Sequence, residues 1–148
     1  MNRQTLHIAA LVLTGAFLAP RLSAADSPND ILVVVNNSVP VENIPADRVR
    51  NFFLKKAQRF KGGMKVFPVN AREGTDIRKE FRKRLLDMTA NEETRYWQDQ
   101  KIKGGITPPP ELGNTQKAVF KIKGAVSYVF RSEYKEKTSK VVLVLPAS

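Results

Sequence analysis

Apolar and polar positions alternate along this chain in short blocks, each of which reads as one element. Ile31 to Val35 (ILVVV) is an unbroken apolar run, β-branched at all but Leu32, as a strand covered on both faces requires. Asn36 to Pro40 makes a turn, and Pro45 suits the first turn of a helix whose stripe is Val49, Phe52 and Phe53. A basic loop from Lys55 to Gly63 leads to a second strand at Lys65 to Val69. Ile77, Phe81, Leu85 and Met88 then mark one side of a helix opening at Thr75, with Lys79, Arg82 and Lys83 away from that stripe. Thr89 and Glu92 match a capping box for a further helix carrying Tyr96 and Trp97 and ending at Gly104 and Gly105. Pro108 to Pro110 can be neither helix nor central strand. Asn114 or Thr115 caps a short helix through Ile122, which Gly124 stops. Ala125 to Phe130 and Lys140 to Leu145 read as the last two strands, joined by a charged turn. Strands alternating with helices predict an α/β domain with a mainly parallel sheet flanked by helices.

Residues 1–25 read differently. Arg3 precedes an apolar run, Ile8 to Ala19, that is too short to span a bilayer, and Ser23, Ala24 and Ala25 offer small residues before a cut. This pattern predicts a signal peptide over 1–25, a single domain over 26–148 and a periplasmic destination. No further run is long enough to cross a membrane, so the product is not expected to be membrane-embedded.

Charge and chemistry narrow the function. The chain has 25 Lys+Arg against 14 Asp+Glu, and so favours anionic partners. There is no cysteine, and the one histidine, His7, leaves with the leader. Without either residue the domain cannot build a Ser-His-Asp triad, a cysteine nucleophile or an ordinary zinc site. A non-enzyme with no metal or cofactor is expected. The basic clusters are Lys55, Lys56, Arg59 and Lys61, then Arg82, Lys83 and Arg84, then Lys117, Lys121 and Lys123. They read either as solvated surface or as a docking face for an acidic partner or lipopolysaccharide. Nucleic acid is not expected, because export argues against it and no recognition motif is present. Tyr96 and Trp97, as helix neighbours, cannot share one face, so one belongs to the core and the other to a half-exposed edge. Phe60 is placed to pin the basic loop to the core.

The segment Val66 to Phe81 (VFPVNAREGTDIRKEF) holds the candidate site. A strand, a tight turn ending in Gly74 and a helix N-terminus at Thr75 together favour an anion, because the first amides of a helix lack partners and carry the positive end of its dipole. Thr75 adds a hydroxyl at the N-cap, and Arg72 and Arg78, read as exposed, add fixed positive charge. The plainer alternative is a capped helix with surface arginines.

Three blocks in order carry a resemblance: a helix ending FFLKK (Phe52 to Lys56), the VFPVNAREGTDIRKEF segment, and GAVSYVF (Gly124 to Phe130). Together they resemble the periplasmic receptors of phosphate ABC transporters, and most closely the short stand-alone members of that family. The resemblance implies one lobe of a type II periplasmic-binding-protein-like fold. It implies phosphate or a related oxyanion as ligand at Arg72, Glu73, Gly74 and Thr75, with Arg78 as in the short members. In the full-length receptors the acid matched by Glu73 accepts a hydrogen bond from a protonated phosphate oxygen. The turn here is shorter, and the glycine-rich first strand that supplies the other half of the cleft is missing. An ABC permease or another periplasmic protein is the implied protein partner. Two functions follow: an oxyanion-binding module linked to phosphate transport, or a non-catalytic scaffold that reuses the lobe with a vestigial anion site.

Overall fold

The computed structural model describes residues 26–147, and the expected leader over 1–25 lies outside them. The chain runs β1 (Ile31–Val35), α1 (Ala46–Phe53), β2 (Phe67–Pro68), β3 (Asn70–Ala71), α2 (Asp76–Phe81), α3 (Ala90–Gly104), β4 (Glu111–Leu112), α4 (Thr115–Lys121), β5 (Ala125–Phe130) and β6 (Lys140–Leu145). The four-stranded sheet has the order β2-β5-β1-β6, and β3 pairs with β4 in a separate two-stranded ribbon. No helix among the described residues is long and apolar enough to cross a membrane.

The α/β class is as expected, but the mainly parallel sheet is not. β1 runs antiparallel to both β5 and β6, and only the short β2–β5 pairing in this sheet is parallel. An unbroken apolar run reports burial on two faces and carries no information on strand direction. Here β1 is central and every one of its residues is buried. Its alternate side chains feed two separate cores. Ile31, Val33 and Val35 join the larger, with Phe52, Phe53, Phe81 and Tyr128. Leu32 and Val34 face the smaller, with Val119, Ala125 and Val129.

Aromatic packing ties α1 and α2 to the sheet. The Phe81 ring stacks on Tyr128 with centroids 3.5 Å apart, and Phe53 meets both rings edge-on. Phe60 is buried edge-on against Phe52, pinning the basic loop as expected. After Phe81 the helix widens into a π-turn over Arg82–Leu86, ended by Asp87 at φ 51°. Trp97 is buried, and Tyr96 packs edge-on against it with its hydroxyl donating to the Leu54 carbonyl at 2.7 Å.

The capping box at α3 is formed. The Glu92 amide donates to Thr89 Oγ1 at 3.2 Å, and the Thr89 amide donates to Glu92 Oε2 at 2.7 Å. Most of α3 is exposed, so its first turn leans on this cap more than on packing. Thr89→Ala is expected to cost about 1 kcal/mol in thermal or urea denaturation. A loss below ~0.3 kcal/mol would show that packing alone holds the helix.

Candidate functional site

The turn between β3 and α2 is built as the sequence requires. Asn70 and Ala71 pair in parallel with Glu111 and Leu112. The Asn70 amide also donates to the Pro110 carbonyl at 2.8 Å. The proline loop is thereby fastened beside the turn. Gly74 takes φ +83°, a conformation glycine adopts without strain. Thr75 is the N-cap residue, but its hydroxyl does not cap a helix amide. It donates to the Arg72 carbonyl at 2.7 Å instead, closing the turn on itself. The Glu73 amide is also occupied, donating to Glu111 Oε2 at 3.0 Å. A carboxylate of the chain therefore already sits where an anion would meet that amide.

Four of the five predicted residues divide between two hollows, and Gly74, in the turn between them, lines neither. Arg72 and Thr75 line one of about 510 Å³, together with Asn114, Thr115 and Lys135. The Arg72 guanidinium lies over Gly113, where a Cβ would stand 3.2 Å from its Cζ, so the glycine makes room for it. Arginine ion pairs among the described residues belong to Arg78, Arg82, Arg84 and Arg131, so Arg72 keeps its charge free.

Glu73 and Arg78 face a second hollow of about 320 Å³, with Arg82, Glu93, Trp97 and Glu111 on its walls. The expectation that Arg78 is an exposed arginine is wrong: it is 3% exposed. Its Nη2 donates to Glu93 Oε1 at 2.5 Å, and Arg82 Nε donates to the other Glu93 oxygen at 2.5 Å. Arg82 also donates to Glu73, which closes a four-membered network. Burial pulls the Glu73 carboxyl up, but the Arg82 bond and the nearby charges of Arg82 and Arg78 outweigh it and hold the group below its ordinary value. Reading Arg82 as solvated surface was equally mistaken, since it too is buried.

A usable signal was present. Arg78 and Arg82 stand four apart, each one residue past the stripe positions Ile77 and Phe81. Glu93 lies four before the buried Trp97 and so shares its inward face. The spacing marks two arginines on one helix face and a glutamate on another, but that these two faces meet is set by the tertiary fold. Tyr128 lies beneath the turn, its hydroxyl accepting from the Ala71 amide and donating to Asn70 Oδ1, each at 3.2 Å. Burial pushes its phenol up to about 12, so it acts only as a neutral hydrogen-bonding group.

No protein-family model and no curated protein matches the chain. Solved structures do. An ABC-type phosphate transport receptor from Vibrio cholerae superposes with a TM-score of 0.60 at 14% identity, covering 78% of this chain and 46% of the receptor. A phosphate ABC transporter substrate-binding protein from Clostridium perfringens, solved with bound phosphate, gives 0.58 at 17% identity, over 78% of this chain and 45% of that one. PstS from Borrelia burgdorferi gives 0.55 at 12% identity, over 78% and 50%. The chain therefore spans about half the length of the phosphate receptors it matches, and it has the fold of that half. The resemblance read from the sequence holds at this level.

Proposed function

We propose that this chain is an exported, non-catalytic periplasmic protein that binds phosphate or a related oxyanion on one open lobe, and that it serves phosphate ABC transport. One observation carries this reading: the free guanidinium of Arg72, lodged over Gly113 in a hollow shared with Thr75 and Lys135. The matching receptors support it through their fold, and one of them was solved with bound phosphate. The bound anion would take Arg72 as a charge-assisted donor and Lys135 as a second cation. Thr75 would serve either as an acceptor for a protonated oxygen or as a donor after rotating away from the Arg72 carbonyl.

One half-cleft binds weakly. Three or four charge-assisted bonds at about 1.5–3 kcal/mol each must offset roughly 4–15 kcal/mol of lost translational and rotational freedom. The expected dissociation constant for phosphate is on the order of millimolar, where about 4 kcal/mol of net binding remains. Titration by calorimetry or amide chemical shifts at low ionic strength tests this. Arg72→Ala should weaken binding at least fivefold with the fold intact, whereas Lys103→Ala, at the far end of α3, should do nothing. A sub-micromolar constant for a proven monomer would sink the single-lobe reading.

A specific observation favours the second reading, a scaffold in a periplasmic assembly. Two of the five expected ligand residues, Glu73 and Arg78, are engaged in an internal ion network. If the scaffold reading holds, Arg72→Ala leaves phosphate titrations unchanged at the background of any basic protein.

A further inference from the structure

We infer that the cavity between the end of α1 and the edge strand β2 is a binding site for a small amphipathic carboxylate, with an alkyl or aryl body on its apolar floor and its carboxylate at Lys55 and Lys65. This inference is independent of the oxyanion reading, because none of its residues lines either hollow beside the turn.

The cavity holds about 520 Å³, within the range of roughly 300–1,000 Å³ typical of small-molecule sites. Phe52, Val66, Val69 and Ile106 form its apolar wall, and the charged residues that line it are Lys55 and Lys65. No aspartate or glutamate shares the lining. Lysine ion pairs among the described residues belong to Lys79, Lys103 and Lys140, so both cavity lysines lack a carboxylate. Lys65 leans over the Phe67 ring at 5.2 Å, and that ring is 42% exposed.

Lys55 is the more telling of the two. It follows the C-cap of α1 in the left-handed region, at φ 55°. The Lys56 amide reaches back to the Asn51 carbonyl at 2.8 Å, so Lys55 fills the position after a helix where glycine usually sits. A side chain there is strained, and glycine would relieve the strain. The chain instead places a lysine at the cavity mouth, half-buried and unpaired, where desolvation pushes its ammonium down. A strained lysine lining an apolar cavity that holds no carboxylate is explained if its ammonium has an anionic partner that this chain does not contain. Phosphate alone would leave the apolar wall unused. The complement is an anion with an apolar body.

The test uses the whole protein and sodium decanoate below its micelle concentration, followed by amide chemical shifts and calorimetry. Decanoate should shift Val66, Phe67, Val69 and Ile106, and should bind at least tenfold more tightly than decyltrimethylammonium or decanol. Lys55→Gly should weaken decanoate binding at least fivefold while raising the melting temperature, because glycine suits that backbone. Folding failure therefore cannot mimic the expected result. Three outcomes would each overturn the proposal: equal binding of all three decyl compounds, decanoate shifts confined to the turn at Arg72, or undiminished binding by the Lys55→Gly variant. A dimer through this face that decanoate cannot dissociate would overturn it as well.

Discussion

Glu93→Ala is expected to cost about 3–5 kcal/mol of stability, the range for breaking a buried ion pair on one side. Glu93 is 4% exposed and takes one bond from each of two buried guanidinium groups, both at 2.5 Å. Without it, Arg78 and Arg82 would keep only the half-exposed Glu73 as counter-charge. The exposed Asp99–Lys103 pair on the same helix provides the contrast, since Asp99→Ala should cost no more than about 1 kcal/mol. Replacing the three buried charges together (Arg78→Met, Arg82→Leu, Glu93→Leu) should recover most of the loss, because a well-packed apolar substitute spares the desolvation of the ions. Urea denaturation of the four proteins measures all of this. A Glu93→Ala loss below ~1 kcal/mol would show that water reaches the network and solvates the arginines. The same network fixes the direction of the acid response. The Glu73 carboxyl is held below its ordinary 4.5, so its contribution is full above that pH and is lost as pH falls through the lowered value.

The elements were legible in the sequence wherever one physical rule acts alone. An unbroken apolar run gave β1, the Thr89–Glu92 box gave the start of α3, and Asn114 caps α4 by accepting from the Lys117 amide at 3.0 Å. The direction of pairing was not legible, since both faces of β1 are covered in either arrangement. The turn at Arg72 to Thr75 is the expected strand–glycine–helix junction, with Gly74 at positive φ, but the strand entering it is β3 and not the Lys65 to Val69 run, of which only Phe67–Pro68 is a strand. The partition of the turn's side chains was hidden, because it depends on two distant residues. Gly113 admits Arg72 to one hollow, and Glu93 draws Arg78 into the other. Charge on a helix signals exposure only while no complementary charge arrives from another element, as Glu93 does for Arg78 and Arg82. Lys55 was invisible as an outlier for a similar reason. Its sequence neighbours suggest a basic loop, and only the helix end above it places it at positive φ.

Gly124→Ala is expected to destabilise the protein by about 2–5 kcal/mol, combining strain at positive φ with the forced displacement of packed backbone. Gly124 has φ +76°, and a Cβ built there would stand 2.2 Å from the Lys65 carbonyl oxygen. No side-chain rotation relieves that contact, because the obstacle is backbone. The strand that must move is β2, two residues long, with Pro68 unable to donate to the ladder. Its attachment rests on the Phe67 amide to the Gly124 carbonyl and the Val69 amide to the Val126 carbonyl, each at 2.9 Å. Pushing Lys65 away breaks the first of these and loosens Val66 and Val69, both buried. Gly74→Ala provides the control, since Gly74 shares the positive φ but a Cβ there would meet nothing within 4 Å. That variant should lose only about 1–2 kcal/mol, the conformational part alone. Hydrogen exchange adds a local readout: in Gly124→Ala the amides of Phe67 and Val69 should lose protection while those of β1 keep theirs. If the two alanine variants melt together and β2 stays protected in both, close approach at Gly124 is not what holds the edge strand in place.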